Sequence, residues 1–175
     1  MGSRDTVVVL RTLLSGLMVL VVDDDQACRE VMGLLLGDLG ARVRTAPGGV
    51  EALSIVDEQR PDLVLTDLAM PGMSGADLLT RLRRIHSRAT LPVVAVSAWA
   101  NRGDAVQFDG YLEKPFDYDD LRDTLQKVFW LRPALVRRQC RRLRGEAAHL
   151  RAYGRRLWDR SAVALQRSAR FRDSP

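Results

Sequence analysis

The chain reads as an α/β protein, a doubly wound five-stranded parallel sheet followed by a basic helical tail. Three observations predict this class. Short apolar runs alternate with amphipathic segments from Leu17 to Trp130, the pattern of right-handed βαβ crossovers with helices on both faces of one sheet. The runs are continuously apolar, as in strands buried on both faces. Four of them end abruptly in polar groups: Asp23-Asp24-Asp25, Asp67, Ser97 and Lys114-Pro115. Polar groups at the carboxyl ends of parallel strands converge on one crevice, where open α/β sheets bind ligands.

Strand one is Val19–Val22. Asp25 caps a helix over Gln26–Leu39, which Gly40 closes. Strand two, Arg42–Thr45, is the least apolar and reads as an edge. Pro47 opens a second helix to about Gln59, with Val50, Leu53, Ile55 and Val56 on its apolar side. Pro61 stops it, and Leu63–Thr66 is strand three. The run Met70-Pro71-Gly72-Met73-Ser74-Gly75 is turn chemistry, and Ala76–Ile85 is an amphipathic helix. Leu91–Val96 is strand four and Gly110–Leu112 strand five. Tyr118–Trp130 follows as a helix, with Leu121, Leu125, Val128 and Phe129 at helical spacing. Only twelve residues separate Ser97 from Gly110, so the fourth helix is shortened to one or two turns or is degenerate.

At 175 residues the chain fits one domain plus an appendage, and the charge divides it the same way. From Pro133 onward twelve arginines face Glu146, Asp159 and Asp173, a net +9, which leaves −4 for the rest of a chain whose total is +5. The predicted organisation is an extension over 1–16, a globular domain over 17–131 and a basic tail over 132–175. Cys28 and Cys140 lack metal-like spacing and suit reduced thiols of a cytoplasmic protein. Val7–Val22 is interrupted by Arg11, Ser15 and Gly16 and falls short of the ~20 apolar residues of a spanning helix, so no membrane insertion is predicted.

The strand-end groups carry chemistry together. Asp24 and Asp67 offer hard oxygen ligands of the kind Mg²⁺ takes. A carboxylate beside a metal can attack phosphorus and become an aspartyl-phosphate. Lys114 supplies a point charge for phosphoryl oxygens, and Ser97 a hydroxyl donor. A lone strand-end Asp is more often a helix cap, and Asp25 reads as one; polar residues at four strand ends go beyond capping.

On VLVVDDD, DLVLTDLAMPGMSG, PVVAVSA and YLEKPF, in that order, the segment from Leu17 to Trp130 resembles the receiver domain of two-component response regulators. The resemblance implies a flavodoxin-like sheet of order 2-1-3-4-5. It implies Asp67 as phosphoacceptor, with Asp23, Asp24 and the carbonyl of Ala69 around Mg²⁺. It further implies Ser97 as switch hydroxyl, Lys114 as the family's lysine, Tyr111 as switch aromatic and a cis bond before Pro115. A sensor histidine kinase or phosphotransfer protein is the implied phosphodonor, and the implied output is protein contact. Three features depart from the family's pattern. The interval from Ser97 to Lys114 is short, in the region of the usual signalling face. Trp99 lies two residues after Ser97, where its ring would lean over the phosphoryl site. Ala69, two after Asp67, has no polar side chain to orient water.

Two other functions fit the same residues. One is a metal-dependent phosphohydrolase with an Asp nucleophile, although such enzymes usually carry a second acid where this chain has Ala69. The other is a pseudo-receiver scaffold, against which the complete acidic set argues. His86 and His149 are not read as phosphodonors, since no ATP-binding module is visible.

In the tail, Val136, Leu143, Leu150, Leu157, Ala164 and Phe171 recur every seven residues, with Cys140, Ala147, Gly154 and Ser161 four later. That is a heptad seam, weakened at Gly145 and Gly154. Three readings stand: a homodimeric coiled coil, a helix packed back on the domain in place of the shortened fourth helix, and a basic arm for nucleic acid or an acidic surface. Nucleic-acid recognition is disfavoured, because no helix-turn-helix pattern is present.

Overall fold

The computed structural model describes residues 14–98 and 108–130. Within them lie β1 (Met18–Val22), α1 (Gln26–Asp38), β2 (Arg42–Ala46), α2 (Gly49–Glu58), β3 (Leu63–Asp67), α3 (Gly75–Ile85), β4 (Val93–Ser97), β5 (Gly110–Glu113) and α4 (Tyr118–Trp130). All four strand pairings are parallel, and the sheet order is β2-β1-β3-β4-β5. The predicted fold class and strand order are therefore those observed. The shortened fourth helix, Trp99 and the Arg-rich tail fall outside the described residues.

Strand alternation divides the core between the two faces of the sheet. Met18, Leu20 and Val22 of β1, Val64 of β3, and Val93 and Ala95 of β4 form one cluster with Ala52, Ile55 and Val56 of α2 and Leu78, Leu79 and Leu82 of α3. Val94 belongs to the opposite face. A Cβ added at Gly110 would lie 2.8 Å from Val128 and 3.4 Å from Val94, which places α4 on that second face. Gly110 is thus required by the close approach of α4 to β5.

Side chains satisfy the first amides of α1 and α3. Asp25 accepts from the amides of Ala27 and Cys28 at 2.8 and 3.4 Å, the predicted cap of α1. Ser74 and Asp77 form a reciprocal capping box at α3, and the Ser74 hydroxyl and amide hold the Asp77 carboxyl below its ordinary range. The start of α2 differs from the sequence reading. Gly48, in extended backbone, is its N-cap, and the helix begins at Gly49 rather than Pro47. The turn is phased by Ala52, Ile55 and Val56, so Val50 points to solvent instead of the core.

At the amino-terminal end of β4 and β5 lies a cluster the sequence gives little sign of. The Asp109 side chain, 0% exposed, accepts from Arg83 at 2.6 Å and Arg88 at 3.1 Å. It also accepts from the Val93 amide at 2.7 Å. Arg83 donates in addition to the Leu91 carbonyl and Arg88 to that of Phe108. One carboxylate thus joins the end of α3, the start of β4 and the start of β5.

Removing one partner of a buried ion pair leaves uncompensated charge and typically costs 3–5 kcal/mol. Asp109→Ala is expected to lower the unfolding free energy by about 3 kcal/mol, read as a fall in the urea midpoint. A midpoint matching wild type would show that the cluster contributes no stability.

Candidate functional site

The register of the sheet assembles the strand-end residues. Val22 lies opposite Thr66, so the next residues, Asp23 and Asp67, emerge side by side. Asp67 lies opposite Val96 and Ser97 opposite Glu113, which carries Ser97 and Lys114 to the same edge. Carboxylate oxygens of Asp23, Asp24 and Asp67 all come within 4.8 Å of one another. Asp23 is buried, Asp67 half-buried and Asp24 exposed.

Three like charges that close repel one another and favour either proton uptake or a cation. The Lys114 ammonium supplies one cation. Its Nζ lies 2.6 Å from Asp23 Oδ2 and 2.7 Å from Asp67 Oδ2. Burial pulls Lys114 toward deprotonation, but the hydrogen bonds and charges of Asp23 and Asp67 outweigh it and hold the ammonium above its ordinary range. The lysine is therefore charged throughout the physiological range.

Backbone amides aim the carboxylates. Asp23 Oδ1 accepts from the Asp25 amide at 2.9 Å, and Asp67 Oδ1 from the Ala69 amide at 3.1 Å. Each carboxylate thus gives one oxygen to its own loop and one to Lys114. The turn after β3 also needs Gly75. Its amide donates to the Leu68 carbonyl at 3.1 Å, and an added Cβ would stand 2.2 Å from the Asp67 carbonyl oxygen, a separation no side chain tolerates.

On the other side, the Lys114 amide donates to the Ser97 carbonyl at 3.0 Å. The Tyr111 hydroxyl donates to the same carbonyl at 3.4 Å. Ser97 is 4% exposed, and the half-buried Tyr111 ring packs against the core. The Lys114–Pro115 peptide is cis, the isomer that the resemblance implies.

Of the sequence-predicted site residues, Asp23, Asp24, Asp67, Ser97, Tyr111 and Lys114 meet at this edge, and Ala69 meets it through its amide. Asp25 serves as a cap. Cys28, on α1, has its thiol pushed up by burial and is not an activated nucleophile. Arg29 escaped the sequence reading: its Nη1 donates to the carbonyls of Asp23 and Asp24 at 2.7 and 3.0 Å. In sequence it is an ordinary basic residue on a helix, and only its four-residue spacing from Asp25 hints that it reaches the loop.

His86 lies away from this edge, as C-cap of α3. Burial depresses its pKa from 6.5, and Arg60 and Arg83 push in the same direction against Asp57. A depressed folded-state pKa means that His86 contributes stability above its ordinary value and loses it as pH falls below that value.

Among the described residues, no helix is long and apolar enough to cross a membrane. The family model for the response regulator receiver domain matches residues 19–126. Chemotaxis protein CheY-3 of Vibrio cholerae is 36% identical over 117 residues, which cover 63% of this chain and 90% of that protein. The sensor histidine kinase RcsC of Salmonella typhi is 39% identical over 114 residues, 62% of this chain but 12% of the kinase. Among solved structures, the chemotaxis response regulator CheY4 of Vibrio cholerae superposes with a TM-score of 0.60 at 29% identity, covering 65% of this chain and 99% of its own.

A proton NMR titration is expected to place the His86 midpoint below 6.5. His86→Gln should remove the corresponding loss of stability on acidification. A midpoint at or above the ordinary value would contradict the packing described for this residue.

Proposed function

The chain belongs to the response regulator receiver domain family, and from that premise we propose that it is a phosphoacceptor switch in which Asp67 takes a phosphoryl group from a histidine kinase or phosphotransfer protein. The observation that carries this reading is the Lys114 ammonium held between Asp23 and Asp67, with Asp24 within the same 4.8 Å set. A phosphoryl acceptor needs a positioned carboxylate, a fixed cation and further oxygen ligands for a metal.

The donor set fits Mg²⁺, a hard cation that takes one or two carboxylates and retains waters for phosphate oxygens. Asp23, Asp24 and Asp67 would hold it, with the Ala69 carbonyl completing the protein ligands. When bound, it would neutralise charge on the phosphoryl oxygens. Asp67 acts as nucleophile: a carboxylate oxygen forms a bond to phosphorus as the bond from phosphorus to the donor's imidazole nitrogen breaks. Its other oxygen stays on the Ala69 amide, which keeps the attacking atom aimed. Lys114, already charged, follows the negative charge from the Asp67 carboxylate onto the phosphoryl oxygens. The Ser97 hydroxyl then reaches the new group, and Tyr111, already on the Ser97 carbonyl, moves with that strand end. A site event of this kind biases a two-state element.

Phosphoryl gain and loss at Asp67 is self-modification, and turnover of an external substrate is not part of this reading. The domain spans 17–131 and works in the cytoplasm, with the basic tail 132–175 as a second module whose association with a copy of itself or with an acidic partner contributes to output. The similarity to RcsC, a sensor histidine kinase by name, supports a kinase as donor.

Acetyl phosphate with Mg²⁺ is expected to add one alkali-labile, hydroxylamine-labile phosphoryl group to the intact chain. Intact mass measurement reads the gain, and Asp67→Asn should show none. Wild type that gains nothing, or Asp67→Asn that gains equally, would overturn the assignment.

A further inference from the structure

Arg29 stands at the end of the first turn of α1, where the positive end of the helix dipole disfavours a cation by about 0.3–1 kcal/mol. Its side chain is half-buried and turns back across the loop. Both contacts come from one nitrogen, Nη1, to the carbonyls of Asp23 at 2.7 Å and Asp24 at 3.0 Å. Those two residues supply two of the three clustered carboxylates.

The two carboxylates are held unequally. Asp23 is fixed by the Asp25 amide and by Lys114. The Asp24 carboxylate is exposed and has no hydrogen-bond partner among the described residues, so its direction depends on the backbone that carries it. Arg29 bonds to the carbonyl of that same residue. A guanidinium is suited to this, because two hydrogens of one nitrogen reach adjacent carbonyls in a fixed plane.

We propose that Arg29 is a positioning residue for the cation-binding loop: it fixes the Asp23 and Asp24 backbone so that both carboxylates face Asp67. Its effect falls on divalent-cation affinity and not on phosphorus directly. The inference rests on reading the acidic cluster as a cation site, and the test separates the two.

Mg²⁺ alone is titrated calorimetrically into the full chain as wild type, Arg29→Met, Arg29→Lys and Asp24→Asn. Arg29→Met keeps an apolar stem without a donor and is expected to bind Mg²⁺ about tenfold more weakly, in the range for losing a group that orients a metal ligand. Arg29→Lys restores an N–H donor and should recover most of the affinity, a rescue that stem packing alone does not produce. Wild-type affinity in Arg29→Met, or affinity in Arg29→Lys as weak as in Arg29→Met, overturns the proposal. If Arg29→Met does not fold, Arg29→Ala under the same comparison with Arg29→Lys decides. A wild type that binds no Mg²⁺, or an Asp24→Asn variant that binds as wild type does, overturns the cation-site reading and this inference with it.

Discussion

The site depends on one interaction, the Lys114 ammonium between Asp23 and Asp67. Parallel strands that end together bring their terminal residues together, and here those residues are acids. Without a cation the arrangement opposes itself, since each carboxylate raises the cost of ionising its neighbours. Lys114 offsets that repulsion, and the same ion pair ties the end of β1 to the end of β3 through the segment after β5.

This constraint explains why the surrounding parts have the form they do. The Asp25 and Ala69 amides each take one carboxylate oxygen, leaving the other to the lysine. Gly75 lets α3 begin directly against the Asp67 carbonyl, so the backbone of Asp67 is held from behind. At the far end of the strands, Asp109 binds two arginines and the Val93 amide. It pins the start of β4 and β5, the strands that deliver Ser97 and Lys114. The Asp109 cluster and the acidic cluster therefore sit at opposite ends of the same strands.

Much of this was legible in the sequence, for a physical reason. Strand ends in a parallel sheet fall on one edge, so Asp23, Asp67, Ser97 and Lys114 needed only the positions of the apolar runs to be grouped. What escaped depends on long-range or side-chain geometry. Asp109 lies far in sequence from Arg83 and Arg88 with no motif to link them, and only the fold brings all three together. Arg29 looks like an exposed helical arginine because its contacts are to carbonyls, which carry no residue identity. Val50 reads as a core residue because it is apolar, yet at about 100° per residue its spacing from Ala52, Ile55 and Val56 sets it on the opposite face of α2.

The central claim is that Lys114 and a divalent cation answer the same electrostatic need of the acidic cluster. The most direct measurement is the rise in melting temperature caused by Mg²⁺ in wild type and in Lys114→Met. The variant is predicted to melt lower than wild type without divalent metal, and to gain more from Mg²⁺, because the metal then neutralises carboxylates that nothing else neutralises. Equal gains in the two proteins, or a variant as stable as wild type without metal, would contradict the account.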